Sequence, residues 1–292
     1  MSAAARTTAS GAKSERRGGF IREKRFRKVA ESLQKARKPR RVSSFVGSET
    51  IGWAEHSKNE PWPGVCMQLS FPCRRDLWPG SPTPATIWAM RYETFCGGIF
   101  ETNCYLIEAP EGPILFDAPD GACDWLVAEG VTPKLLLLTH GHFDHIPDVA
   151  KIKSRFGCQL GCHAETVPMI SDPEFFRSFG FQLEIEPVEP DFLVAATASR
   201  EFLGLAMQVL EVPGHCPGSL CFFSRKDRLL IGGDVLFASG VGRWDLPGGD
   251  GDLLFRGIKE KLYPLGDDVT VLPGHGPATT IGAERRTNPF VR

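Results

Sequence analysis

Short apolar runs alternate with polar, turn-forming segments along the chain after Met90. Brief apolar runs bounded by Gly, Pro or Asp predict strands, and longer stretches with apolar residues three and four apart predict helices. The pattern predicts strands at 91–96, 103–108, 113–117, 134–138, 159–162, 207–212, 219–224, 229–232 and 269–272. It predicts helices at 120–129, 146–156 and 252–262, and an irregular, helical passage at 165–181. Two strand-rich halves with intervening helices indicate a layered α/β sandwich.

Residues 1–89 differ in composition from the rest. They begin with Ala, Ser, Thr and Gly, continue with a basic stretch at 22–41 and end in a passage rich in Pro and Trp. Their weak apolar periodicity predicts a largely disordered extension ahead of a folded domain at 90–292. Three other interpretations stay open. They are a basic helix at 22–36 that touches nucleic acid or anionic membrane, a transit peptide, and a gene-model artefact with Met90 as the natural start.

The composition predicts a soluble globular protein of the cytoplasm. The chain has 292 residues, 42% of them hydrophobic, and no run approaches the roughly 18 apolar residues that a membrane span needs. No signal peptide opens the sequence. Nine scattered cysteines, an odd number, predict reduced thiols. The net charge of -1 conceals an asymmetry, because residues 1–43 carry 14 Lys and Arg against three Glu and the remainder is strongly acidic.

The most informative motif follows the predicted strand at 134–138. Four leucines and a threonine precede three histidines and an aspartate within six residues: His140, His142, Asp144 and His145. The uninterrupted apolar run indicates a strand covered on both faces, so its carboxyl end delivers these side chains to a sheet edge. Imidazoles and a carboxylate at this density are typical zinc or iron ligands. Ordinary surface histidines are the weaker interpretation, because three of only seven histidines fall here.

Three further predicted strands end in the same way. His215 follows the strand at 207–212, Asp234 follows 229–232, and His275 follows 269–272. Glycine or proline stands beside each of them, which lets the backbone turn sharply and leaves room for an ion and a substrate. These three residues are therefore candidate ligands of the same metal site.

The order H-x-H-x-D-H followed by a separate His, Asp and His resembles the metallo-β-lactamase superfamily of binuclear hydrolases. The resemblance covers residues 91–292 and implies a four-layer αββα sandwich as the catalytic domain at 90–292. It also implies two divalent metal ions, zinc or alternatively iron or manganese. Carried over residue by residue, one ion would be held by His140, His142 and His215, the other by Asp144, His145 and His275, and Asp234 would bridge them.

Residues 233–250 and 273–290 resemble the glyoxalase II (hydroxyacylglutathione hydrolase)-like branch. Zinc β-lactamases usually have Cys in place of Asp234, and flavodiiron proteins have Glu in place of the second motif histidine, so both are disfavoured. Only 17 residues follow His275, so the chain resembles the short form without the C-terminal helical domain that contributes to glutathione binding. Asp148 and Trp244 also depart from relatives, which more often have glycine and a small polar residue there.

The resemblance implies hydrolysis of thioesters such as S-2-hydroxyacylglutathione by a metal-bound hydroxide. Asp144 and Asp234 are the expected catalytic residues, and the thiol leaves without a strong general acid. Three alternatives remain: a persulfide dioxygenase with a single iron, a nucleic-acid phosphodiesterase of the same fold, and a non-catalytic binding module. The expected partner is a small-molecule thioester, with neither nucleic acid nor membrane, and the oligomeric state is not predicted.

Several nearby residues have two interpretations. Asp117 either orients a ligand imidazole or caps a loop. Arg243 either faces the substrate or pairs with Asp245 or Asp250. Cys216 follows a candidate ligand directly, but neighbours in sequence point apart, so we expect it to pack instead of binding metal.

Overall fold

We describe residues 90–180 and 185–292 of the chain in a computed structural model. The predictions for residues 1–89 and for Phe181 lie outside these described residues. The first sheet has the order β1-β2-β3-β4-β5-β6. Its strands are β1 Tyr92–Gly97, β2 Thr102–Ala109, β3 Gly112–Phe116, β4 Leu135–Leu137, β5 Gln159–Cys162 and β6 Phe192–Leu193. The first three strands are antiparallel, and β3 to β6 run parallel.

The second sheet has the order β14-β13-β10-β9-β8-β7. Its strands are β7 Thr197–Phe202, β8 Leu205–Glu211, β9 Leu220–Ser224, β10 Leu229–Gly233, β13 Thr270–Pro273 and β14 Thr279–Thr280. Only β10 and β13 pair in parallel within it. Between them in sequence, β11 Leu236–Phe237 and β12 Gly240–Val241 form a separate hairpin.

Five α-helices accompany the sheets within residues 90–180 and 185–292: α1 Ala122–Ala128, α2 Val149–Phe156, α3 Val167–Ser171, α4 Gly251–Gly257 and α5 Ile281–Thr287. Helix α2 ends at Gly157, whose φ of 67° is the left-handed conformation that glycine adopts without strain. Helix α4 continues into a π-helical turn, Ile258–Leu262, and a 3₁₀ turn, Tyr263–Leu265. No helix in the described ranges is both long enough and apolar enough to cross a bilayer.

Alternating side chains along the strands build the layers. On β3, Ile114 and Phe116 face the second sheet, whereas Leu115 lies in the apolar cluster that contains the buried side of α2. On β9, Phe222 packs edge-to-face on Phe116 at 5.1 Å between ring centroids, whereas Phe223 joins α4 and α5 on the opposite side. Two sheets thus pack on each other with helices on both outer faces, which confirms the predicted αββα sandwich.

The differences from the predicted elements are local. Strands β6, β11, β12 and β14 have two residues each and are too short to show alternation. These four short strands are not predicted from the sequence, and neither are strand β7 and helix α5. The described part of the passage predicted at 165–181, which ends at Gly180, contains one short helix, α3, with 3₁₀ turns at Ala164–Thr166 and Arg177–Phe179. The apolar runs in this passage are short and broken by proline, so their periodicity does not predict the bounds of individual helices.

Candidate metal centre

The predicted ligands come together at one edge of the sandwich. His140, His142, Asp144 and His145 follow β4 of the first sheet. His215, Asp234 and His275 follow β8, β10 and β13 of the second sheet. The structure therefore brings all seven residues to the ends of strands from both sheets, and their side chains form three overlapping groups that are suited to a metal ion.

The first group consists of His140, His142 and His215. The His215 Nε2 atom lies 3.2 Å from His140 Nε2 and 2.7 Å from His142 Nδ1. Three ring nitrogens that point at one another repel through their lone pairs unless a cation or proton lies among them. In a tetrahedral zinc site with Zn–N bonds of about 2.0–2.1 Å, ligand atoms lie about 3.3 Å apart. The spacing of the two Nε2 atoms fits this geometry.

The second group consists of Asp144, His145 and His275. The Asp144 Oδ2 atom lies 3.1 Å from His275 Nε2 and 3.6 Å from His145 Nε2. The Thr102 hydroxyl donates a hydrogen bond of 2.8 Å to the same Oδ2 atom. These contacts fix one carboxylate oxygen among two imidazoles, which is the donor set expected for a divalent metal such as zinc or iron.

Asp234 lies between these two groups and forms the third group with His140 and His145. Its Oδ2 atom is 3.4 Å from both His215 Nε2 and His275 Nε2, and its Oδ1 atom is 3.3 Å from His145 Nε2. The carboxylate thus reaches ligands from both groups, as the predicted bridging role requires. Gly274 makes room for it, because a Cβ atom at that position would collide with Asp234 Oδ1.

Two buried polar atoms in the centre lack a hydrogen-bond partner among the described residues: His145 Nε2 and Asp234 Oδ1. Buried polar atoms are nearly always satisfied, because leaving one unpaired costs about 1–3 kcal/mol. Although the two atoms are 3.3 Å apart, they are not arranged as donor and acceptor. Their arrangement is that of two ligands of one ion, so the residues present fit a divalent metal.

Hydrogen bonds on the far side of the rings orient the imidazoles. His215 Nδ1 donates to the carbonyl of Arg243 at 2.7 Å, and His275 Nδ1 donates to the carbonyl of Phe100 at 3.0 Å. A carbonyl only accepts, so in both rings Nδ1 carries a proton and Nε2 is the nitrogen that faces the centre. Such outer contacts set the tautomer of metal-binding histidines.

Asp117 orients two further imidazoles. Its Oδ2 atom lies 2.9 Å from His145 Nδ1 and accepts from the Thr139 hydroxyl at 2.7 Å, while its Oδ1 atom accepts from the Thr139 amide at 2.8 Å. Since the Thr139 hydroxyl donates to Asp117, it accepts from His140 Nδ1, which is 3.0 Å away. Asp117 therefore combines both predicted interpretations: it ties down a turn and it orients His145 directly and His140 through Thr139.

Burial governs the protonation of the all-histidine group. It lowers the pKa of His140 well below the usual value, reinforced by the neighbouring imidazoles His145 and His142. Burial and, after it, the neighbouring imidazole of His215 lower the pKa of His142 to about 3. Burial also lowers the pKa of His215. Neutral imidazoles are the form that binds metal, so this group is ready for an ion at neutral pH.

Carboxylates reverse this effect in the second group. Burial alone would lower the pKa of His275, but hydrogen bonds with Asp144 and Asp234 outweigh it and raise the pKa to about 10. Burial would raise the pKa of Asp144, but the hydrogen bond from His275 and the charge of His145 bring it to about 2. In the absence of an ion these groups form carboxylate–imidazolium pairs, and a metal would replace the imidazole protons.

The remaining predictions near the centre are resolved by contacts. The Arg243 guanidinium pairs with Asp245, with Nε–Oδ1 and Nη2–Oδ2 distances of 3.0 Å, and only its carbonyl touches a candidate ligand. Cys216 is fully buried with its sulfur 3.9 Å from Met169 Sδ, so it packs as predicted. The contributions of Thr102 and of the Phe100 carbonyl were not predicted, because Thr102 is 42 residues from Asp144 and a main-chain carbonyl leaves no trace in sequence.

Aromatic rings border the centre on the side of His275. Phe237 packs edge-to-face on the His275 ring at 6.0 Å between centroids. Phe100 contacts Phe143 at 5.3 Å, and Phe143 contacts Phe176 at 6.0 Å. Phe100 is 50% exposed although it is large and apolar. Phe100, Phe143 and Phe237 form an apolar rim next to the candidate ligands.

The αββα sandwich and the adjoining groups of His and Asp side chains at its edge are typical of a class of metal-dependent hydrolases. The chain belongs to the metallo-beta-lactamase superfamily, whose family profile matches residues 97–275 and so includes every predicted ligand. Members of this superfamily bind divalent metals. Of the predicted resemblances, the one to the superfamily and its fold is confirmed.

Individual relatives span the same part of the chain. The hydroxyacylglutathione hydrolase GloC of Haemophilus influenzae is 35% identical over 199 residues, covering 66% of this chain and 93% of the relative. Among solved structures, the BLEG-1 B3 metallo-beta-lactamase is 34% identical with a TM-score of 0.64, covering 69% of this chain and 99% of that one. The structure of TTHA1623 in a di-iron-bound form is 36% identical with a TM-score of 0.60, covering 68% and 99%.

Proposed function

We propose that this protein is a thioester hydrolase of the glyoxalase II-like branch that uses two divalent metal ions. The observation that carries the proposal is the position of Asp234, which lies 3.3–3.4 Å from ligand nitrogens of both groups. His140, His142 and His215 would hold one ion, and Asp144, His145 and His275 the other. When bound, two such ions would supply a hydroxide nucleophile near neutral pH and would polarise the substrate carbonyl.

The side chains around the proposed metal site would position that nucleophile. Asp144 is held through Oδ2 by Thr102 and His275, so its second oxygen is available to accept a hydrogen bond from the attacking water. Asp117 and Thr139 keep the lone pairs of two ligand imidazoles directed inward. The protein residues thereby bind and orient, which is the main contribution of a scaffold to metal-assisted hydrolysis.

The buried cysteines do not provide an alternative nucleophile. Cys216, the cysteine next to a ligand, has its pKa raised to about 12 by burial and is therefore a thiol at neutral pH. Covalent catalysis by cysteine needs a thiolate. A thioester also suits the centre on the leaving-group side, because a thiol with a pKa near 8.5 departs as thiolate without a strong general acid.

The relatives support this class of substrate and this number of metals. The Haemophilus influenzae relative is a hydroxyacylglutathione hydrolase, and glutathione esters of that kind are thioesters. TTHA1623 has been crystallised with two irons, which supports two ions here and keeps iron as an alternative to zinc. The likeness to the BLEG-1 β-lactamase makes a β-lactam a necessary comparison substrate, although Asp234 disfavours that activity.

The test is a substrate panel on purified protein of measured metal content. The panel contains glutathione and coenzyme A thioesters with small hydroxyacyl and with apolar acyl groups, a chromogenic β-lactam, and a phosphodiester. Apolar acyl groups belong in it because of the apolar rim of Phe100, Phe143 and Phe237. We expect thioester hydrolysis that a chelator abolishes and added metal restores. Turnover of none of the thioesters, or oxygen consumption with glutathione persulfide on a single iron, would overturn the proposal.

A further inference from the structure

Glu284 of helix α5 is a buried carboxylate outside the metal groups and is only 2% exposed. Its Oε1 atom accepts from the Thr279 hydroxyl at 2.6 Å. Its Oε2 atom accepts from the Ser239 amide at 2.8 Å and from the Asn288 side-chain amide at 2.9 Å. Burying a carboxylate is costly unless its oxygens are satisfied, and here three donors converge on it.

Asn288 completes the arrangement from the end of the same helix. It is fully buried, and besides Glu284 its Nδ2 atom donates to the carbonyl of Gly240 at 2.9 Å. Ser239 and Gly240 lie at the turn of the β11–β12 hairpin, and Ser239 has a φ of 60°. The two side chains therefore hold both polar main-chain groups that this turn presents to α5.

This hairpin connects two parts of the candidate metal centre. It begins directly after Asp234 and leads to Arg243, whose carbonyl accepts the His215 Nδ1 proton at 2.7 Å. Its Phe237 ring packs on His275. The hairpin has only two paired residues on each strand, and such short pairings have little stability of their own. The polar contacts from Glu284 and Asn288 therefore add to the apolar packing of Leu236 in fixing its position.

We propose that Glu284 and Asn288 are positioning residues for the metal centre. By fixing the β11–β12 hairpin they hold the Asp234 carboxylate and the His215 ring where two ions can share ligands. Thr279 extends the same network toward His275, four residues earlier in the chain. The inference rests on the proposed two-metal centre, and it assigns to the C-terminal segment a role in metal affinity in addition to packing.

The measurement is the affinity of the full-length, metal-free protein for Zn²⁺, by competition with a chromogenic chelator. Glu284→Ala and Asn288→Ala remove the contacts to the turn. Glu284→Gln is the conservative variant: its carbonyl can keep both amide donors, and its NH2 group can donate to Thr279, whose hydroxyl also accepts. Ile281→Val is the destabilisation control, because Ile281 is a fully buried residue of the same helix with no contact to the hairpin turn through a polar group.

We expect Zn²⁺ affinity to fall about tenfold in Glu284→Ala and Asn288→Ala, the lower end of what outer-shell changes cost. Glu284→Gln should stay within about twofold of the wild type, a range small beside that tenfold effect. Hydrogen exchange at residues 236–241 of the metal-free protein should accelerate in the alanine variants and not in Ile281→Val. If Glu284→Ala does not fold, Asn288→Ala carries the test.

Two results would overturn the inference, and they differ from failure of the proposed function. If the alanine variants lower the melting temperature as Ile281→Val does and bind Zn²⁺ like the wild type, Glu284 and Asn288 only stabilise the fold. If they lose affinity but Glu284→Gln and Ile281→Val lose it equally, the loss reflects stability in general. A wild-type protein that binds no metal would instead contradict the proposed function itself, and this inference with it.

Discussion

Replacing Asp117 by Asn tests how the ligand imidazoles are oriented. Asp117 is 2% exposed and accepts three hydrogen bonds, from the Thr139 amide, the Thr139 hydroxyl and His145 Nδ1. Asparagine has nearly the same shape and tolerates the φ of 61° at this position. However, it has one accepting oxygen and one donating NH2 group. If the oxygen faces the Thr139 amide, the NH2 group faces His145, and if it faces His145, the NH2 group meets the amide.

Either orientation leaves a buried donor unpaired or forces His145 into the other tautomer, with a proton on the Nε2 atom that should face metal. An unpaired buried donor costs about 1–3 kcal/mol of unfolding free energy. Loss of an outer-shell partner typically weakens metal binding about 10–100-fold, which corresponds to about 1.4–2.7 kcal/mol. We therefore expect Asp117→Asn to be less stable without metal and to bind Zn²⁺ more weakly.

Thermal or urea unfolding of the metal-free protein measures the first effect, and chelator competition measures the second. Asp124→Asn, the same change at an exposed position of α1, is the matched control and should alter neither. The argument that Asp117 fixes the imidazole tautomers is refuted if Asp117→Asn binds Zn²⁺ within about twofold of the wild-type affinity, because the expected loss is far larger.

Four further predictions follow from the same geometry. Removing metal with a chelator should lower the melting temperature, since an ion at about a thousand times its dissociation constant stabilises by about 4 kcal/mol. Because the pKa of His275 is raised to about 10 without metal, Zn²⁺ binding at pH 7 should release protons and strengthen as pH rises, seen by calorimetry in two buffers; binding without proton release would contradict this. Gly274→Ala should displace the Asp234 carboxylate and reduce metal content. Gly130→Ala is the control: its φ of 68° strains alanine, but a Cβ there meets nothing within 4 Å, so metal content should not change. Cys216→Ala should keep its full metal content, and loss of an ion would reveal a thiolate ligand.

The layers and the candidate ligands could be predicted because they leave a direct pattern in the sequence. The leucines of β4 alternate between the two apolar clusters, with Leu135 and Leu137 on one side and Leu136 on the other, so both faces of the strand are apolar. The candidate ligands stand in the turns that follow β4, β8, β10 and β13. Strand ends in adjoining positions of a sandwich converge, which predicts one common site, whereas the division of its ligands between two ions came from the family resemblance.

Apart from that of Asp117, the supporting contacts could not be predicted, because they join distant segments through groups that any sequence contains. The carbonyls of Phe100 and Arg243 hold two ligand imidazoles, yet a carbonyl is present at every residue. Glu284 lies 45 residues from Ser239, and its carboxylate accepts a hydrogen bond from the Ser239 amide. Short elements such as β11 and β12 depend on these long-range contacts instead of on an apolar period of their own.

The central claim is that two ions act together in thioester hydrolysis. Its most direct test is to titrate the metal-free protein separately with Zn²⁺, Fe²⁺ and Mn²⁺ and to follow both bound metal and the hydrolysis of an active thioester from the panel. The account predicts that, with the native metal, the rate rises until both groups around Asp234 are filled, at two ions per chain. A rate that is already maximal at one ion per chain, or a fully loaded protein that hydrolyses no thioester, would contradict it.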